Sequence, residues 1–225
     1  MRNLVLVALV LGLLVGGWLV LAQAPRAWSV VVIVAEPPAG AWLPEGGGST
    51  PRVRKLAGAG VRLPLATPER SLPDWLSLVL GTGGPQRAVL PAFEQRGWPR
   101  VVSSSVALPS AWADRFDVAS LEEGQDVVVG ALDALEEAGV TRRRPALLVL
   151  VARPGTAEGW DDVVGRTLDG IAPRVTLSRT LVVVADRAQK NAILIAPSRP
   201  DGLDVSGALG PEALGAEIAR WMRLD

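Results

Sequence analysis

The sequence predicts an α/β domain, a mostly parallel sheet flanked by helices, preceded by an N-terminal hydrophobic helix. Three observations lead there. Several short runs are continuously apolar and rich in β-branched residues: Val30-Val31-Val32-Ile33-Val34, Leu147-Leu148-Val149-Leu150-Val151 and Leu181-Val182-Val183-Val184. Strands covered on both faces read this way, because neither face needs polar side chains. Stretches of helical length separate these runs, and strand followed by helix, repeated, builds a parallel sheet with crossover helices. The third observation is that residues 4–22 carry no charge.

That uncharged run is longer than the ~7–15 residues of a secretory core and meets the ~20 needed to span a bilayer. Gly12, Gly16 and Gly17, with no polar face, argue against a buried soluble helix. Ala22-Gln23-Ala24 has the small-x-small form of a cleavage site, but Pro25 would follow the cut. The segment therefore reads as an uncleaved membrane anchor, with a cleaved signal peptide as the alternative. Arg2 on the short flank directs the remainder outward. The expected organisation is residues 1–27 as signal peptide or membrane anchor and 28–225 as one folded α/β domain. That domain would be exported and held on the outer side of the cytoplasmic membrane, or released there if the leader is cleaved.

Strands are expected at 29–35, 61–65, 100–104, 146–152, 180–185 and 192–196. The first helix, 51–59, has Thr50 as N-cap, Pro51 at its first position and Gly60 at its end. Helices follow at 73–80, 91–96, 122–138, 158–171 and 211–224. In the helix at 122–138, Val128, Leu132 and Leu135 share one face. The glycine-rich stretches 46–48 and 81–84 lack the full spacing of a phosphate loop or a dinucleotide fingerprint and read as turns.

Composition removes whole classes of chemistry. The chain has 225 residues, 23 basic and 23 acidic, so no net field favours nucleic acid. It has no Cys, no His and no Tyr. Disulfides, thiolate nucleophiles, His-ligated zinc and every imidazole base are thereby excluded. Chemistry is left to carboxylates, hydroxyls, Arg, the two lysines and backbone dipoles.

Ligands of parallel sheets sit beyond the carboxyl ends of the strands. Glu36-Pro37 follows the first strand there. Thr50-Pro51 opens a helix that ends in Gly60-Val61, Ser71-Leu-Pro-Asp74 opens one that ends at Gly81, and Asp186-Arg187-Ala188 ends a late strand. In this order and spacing the chain resembles the alkaline phosphatase superfamily, in particular its type I phosphodiesterase, nucleotide pyrophosphatase and sulfatase branches. By the resemblance Glu36 falls on the first metal-binding acid, Ser71 on the nucleophile, Asp74 on a frequent Asn, and Asp186 on the Asp of an Asp-His-Gly motif. The departures are as informative. Pro37 replaces the Gly after the first acid, Arg187 and Ala188 replace His and Gly, and the stretch from Arg153 to Gly159 lacks the family's Asp and His pair.

What the resemblance implies is a nucleophile between two zinc ions, each with three or four ligands. The residues left at matching positions, Glu36, Asp186 and Ser71, are too few for that centre. The expectation is no resident cofactor, or at most one divalent cation in an oxygen-only shell. Ser71 also fits a plainer role, capping the helix with Asp74 in its first turn. Glu36 and Asp186 are equally suited to pairing with Arg187 or Arg153, and Arg187 would then set a fixed positive charge where the family has a metal. Trp42 and Trp75 flank these loops and read as filling the old pocket, the alternative being to stack a ligand. Arg142-Arg143-Arg144 reads as a solvated charge run with at most a polyanion or lipid headgroup as partner. The functional expectation is a non-catalytic, envelope-exposed domain with a binding or structural role. The alternative is a metal-dependent phosphoric or sulfuric ester hydrolase using Ser71.

Overall fold

The computed structural model describes residues 29–36, 50–66, 71–81, 88–120, 125–187, 190–195, 208–222 and 224. The apolar N-terminal run, Pro37, Trp42, Ala188 and the stretch 46–48 lie outside these residues. Among the described residues no helix is long and apolar enough to cross a membrane.

Seven strands form one sheet in the order β2-β7-β6-β1-β5-β3-β4. In chain order they are β1 (Ser29–Ala35), β2 (Val61–Pro64), β3 (Arg100–Ser104), β4 (Val118–Ser120), β5 (Leu147–Ala152), β6 (Thr180–Asp186) and β7 (Asn191–Ile195). The three apolar runs occupy the centre as expected, β1 lying parallel between β5 and β6 with Ile33 opposite both Leu150 and Val184. Every residue of these three strands is buried. The period of two sends Val30, Val32 and Val34 into one core and Val31, Ile33 and Ala35 into another on the opposite face.

The first core is covered by α2 (Leu72–Leu80), α3 (Val89–Gln95), the short α4 (Ser110–Ala113) and α7 (Pro211–Met222). The second is covered by α1 (Pro51–Ala59), α5 (Val127–Glu137) and α6 (Ala157–Ile171). Close approaches fix some of these positions. A Cβ on Gly215 of α7 would stand 2.5 Å from the Val79 carbonyl oxygen of α2, and one on Gly165 of α6 would collide with the Arg52 guanidinium of α1. Gly81 closes α2 in the left-handed region, φ 72°, where a side chain would be strained.

Several expectations change in detail. β7 is antiparallel to β6, because residues 187–190 are too short a connection for a parallel crossover. The three-residue β4 and four-residue α4 fall below the length at which periodicity is readable. α5 starts at Val127 rather than at 122, since the Asp126 carboxylate caps it by accepting from the N–H groups of Val128 and Val129. α1 has the expected bounds, but its ends work differently. The Thr50 side chain makes no capping hydrogen bond. Instead the buried Asp161 of α6, 108 residues away in sequence, accepts from the Val53 N–H at 2.8 Å. Gly60 is extended rather than left-handed; it is needed because a Cβ there would stand 2.7 Å from the Leu194 carbonyl oxygen.

Two outcomes follow. Asp161→Ala strips the α1 cap and leaves a buried N–H unmatched, so urea unfolding should show a loss of about 2 kcal/mol. At Asp126, burial pushes the carboxyl pKa up, but hydrogen bonds from Arg166 and from the Val128 and Val129 N–H groups outweigh burial and hold it below its ordinary value. A lowered folded pKa contributes stability that is complete above the unfolded value, ~3.9, and fades as pH falls through the folded one. The urea midpoint of Asp126→Asn should therefore fall less steeply below about pH 4 than that of the unaltered chain.

Candidate functional site

The carboxyl edge of the sheet gathers the singled-out residues through strand pairing. Ala35 lies opposite Asp186 in the register of β1 and β6. Glu36 is the next residue, and its N–H donates to the Ala152 carbonyl at 2.9 Å. Glu36 and Asp186 are therefore brought to the same edge of two adjacent strands. Asp186 has no exposed surface, Arg187 is 7% exposed, and Glu36 keeps part of its side chain open.

Arg187 connects the elements. Its Nη1 donates to Glu36 Oε2 at 2.7 Å, an ion pair with only 6% of the Arg side chain accessible. Its guanidinium carbon lies 5.8 Å from the centroid of the Trp75 ring on α2, within the range of a cation–π attraction. Glu36 thus pairs with Arg187, while Arg153 remains exposed at the end of β5, its N–H bonded to Ser105 Oγ. Trp75 is buried and acts as filling under the guanidinium.

Ser71 sits one turn before Trp75, so the same packing brings the start of α2 alongside the ends of β1 and β6. Its hydroxyl donates to Asp74 Oδ2 at 2.6 Å and accepts from the Asp74 N–H at 3.3 Å. This is the capping arrangement, with the acid in the first turn favouring the helix dipole.

The donor set does not fit the two-metal centre that the resemblance implies. Among the described residues no three His, Cys, Asp or Glu side chains come together in a metal-holding group. One Glu36 oxygen is already engaged by a guanidinium, and that fixed positive charge beside Glu36 opposes a second cation there.

No protein-family model and no curated protein matches the sequence. Solved structures do match. Ps i-CgsB in complex with k-i-k-neocarrahexaose gives a TM-score of 0.63 at 12% identity, over 88% of this chain and 72% of that one. Another structure of Ps i-CgsB gives 0.61 at the same identity and coverage. A protein in the alkaline phosphatase superfamily from Vibrio parahaemolyticus gives 0.56 at 11% identity, over 79% of this chain and 63% of that one. The fold is similar to that of these solved structures, one of which is described as belonging to the alkaline phosphatase superfamily. At these identities the likeness is one of fold, and the alkaline phosphatase-like sheet is what carries Glu36, Asp186 and the start of α2 to one edge.

What sequence reasoning missed is the partner of Arg187 on α2. Trp75 was legible as a pocket filler, but nothing in the spacing ties residue 75 to residue 187. The expected consequence is measurable: Arg187→Ala would leave the part-buried Glu36 without this cation, so chemical denaturation should report a loss of about 3 kcal/mol.

Proposed function

We propose that the chain is a non-catalytic alkaline phosphatase-like domain, exported and held at a membrane by residues 1–27, with a binding or structural role in the cell envelope. The observation that carries this reading is the 2.7 Å pair between Arg187 and Glu36. It uses the acid that the superfamily resemblance gives to a metal, and supplies a cation made of protein in its place. Ser71 supports the same reading, because its hydroxyl is engaged with Asp74 and no imidazole or thiolate exists in the chain to activate it.

A second reading, a phosphoric or sulfuric ester hydrolase with Ser71 as nucleophile and one divalent cation at Glu36 and Asp186, is favoured by one fact. Ps i-CgsB and the Vibrio protein share this architecture, and Ser71 stands at the start of a helix beside the two acids' strand ends.

Turnover distinguishes the two. The full-length chain should hydrolyse aryl phosphate mono- and diesters and aryl sulfates at the uncatalysed rate with Zn²⁺, Mg²⁺, Mn²⁺ or Ca²⁺ present. Ser71→Ala should lower stability by ~1 kcal/mol through the lost cap and change no rate. Metal-dependent turnover that vanishes in a folded Ser71→Ala variant would establish the hydrolase.

A further inference from the structure

The opposite edge of the sheet, where β1, β3, β5 and β6 begin, has a different chemistry. Three loops lead into these strands there: residues 96–99, 138–146 and 172–179. Together they contain Arg96, Arg142, Arg143, Arg144, Arg174 and Arg179, and no Asp or Glu. At least four of the six are held by the fold. Arg142 donates to the carbonyls of Ala172 and Pro173 at 2.9 and 3.0 Å, and Arg144 donates to the Gly97 carbonyl at 2.8 Å. Arg96 stacks on Trp98 at 4.9 Å, and Arg174 pairs with Glu136 of α5. Bonds to neutral carbonyls orient the Arg142 and Arg144 guanidinium groups without cancelling their charge, and although Glu136 offsets Arg174 the loops keep a net basic surface that is held in place at 142 and 144. The neighbouring loop before β4 carries Asp114, Arg115 and Asp117, of which Asp117 pairs with Arg100 of β3 and Arg115 with Glu94 of α3.

Two further features lie on the same edge. Leu177 is one of two large hydrophobic side chains exposed among the described residues, at 42%, and Trp98 is half-buried beside Arg96. The chain also enters the fold here. Ser29, the first residue of β1, accepts a hydrogen bond from the Ala146 N–H through its Oγ, directly beside the arginine loop. Only residues 23–28 separate it from the uncharged run 4–22, a tether that spans about 20 Å at full extension.

We propose that this arginine-rich edge lies against an anionic lipid headgroup surface. The inference rests on the reading of residues 1–27 as a membrane anchor. A short tether keeps the edge near the bilayer, within a few Debye lengths of ~8 Å, where basic side chains are drawn to negative lipids. Leu177 and Trp98 supply the apolar and amphipathic contacts suited to the headgroup layer. The carboxyl edge, with Glu36 and Asp186, then faces away from the membrane.

The absence of native cysteine makes the test direct. Full-length Thr141→Cys, Ser178→Cys and, on the opposite edge, Ala107→Cys are each spin-labelled and reconstituted into phosphatidylcholine vesicles with about 25% phosphatidylglycerol. Labels at 141 and 178 should be several-fold less accessible than the label at 107 to a water-soluble paramagnetic relaxant. That protection should shrink in pure phosphatidylcholine, in about 0.5 M salt, and when Arg96→Glu and Arg143→Glu are combined. A chain that stays in the membrane after alkaline washing, yet has labels 141 and 178 as open as 107, overturns this inference alone. A chain that washes off overturns the anchor and this inference together.

Discussion

The constraint on which the rest depends is that β1 is buried on both faces. Six of its seven residues supply side chains to two separate cores, and each core must be closed by its own layer of helices. With β5 and β6 parallel on either side, the strand ends align, and the residues that follow them are brought together by the register of the strands. Glu36 and Arg187 are neighbours because Ala35 and Asp186 are. A polar pair at the end of such strands is where the apolar burial stops and charge can again be satisfied.

The sheet edge also explains how one architecture accommodates different chemistry. Loops beyond the carboxyl ends of strands are free to vary while the strands hold their geometry. A guanidinium is planar, permanently charged and rich in donors. Placed beside Glu36, it neutralises that acid without an ion from solution, and the aromatic ring of Trp75 lies against it. The site then contributes to cohesion between β1, β6 and α2.

Much of the fold was legible in the sequence because central strands and amphipathic helices carry strong periodic signals. The runs at 30–34, 147–151 and 181–184 specified their own burial, and the strand spacing then placed Glu36 and Asp186 together. Legibility failed where the stabilising partner is remote. Thr50-Pro51 is a proper local start signal, yet the hydrogen bond that caps α1 comes from Asp161. The arginines at 142–144 looked like an ordinary solvated run, since their acceptors, the carbonyls of residues 97, 172 and 173, belong to other loops. The antiparallel β7 was missed for a different reason: direction is set by the length of a connection, and apolar strands read alike either way.

The Asp161 cap has a bearing on how the chain acquires its structure. Because α1 receives that hydrogen bond from a helix 108 residues later, and β1 finds both its neighbours more than a hundred residues downstream, the N-terminal third of the domain has few native contacts available to it early. Long-range pairing must absorb the entropy of closing large loops before it is rewarded. The first strand and helix therefore complete their structure only after β5, α6 and β6 have been synthesised. Until then a strand buried on both faces in the finished domain is without its shelter, and a chain emerging in vectorial fashion is most prone to misassociation over that interval.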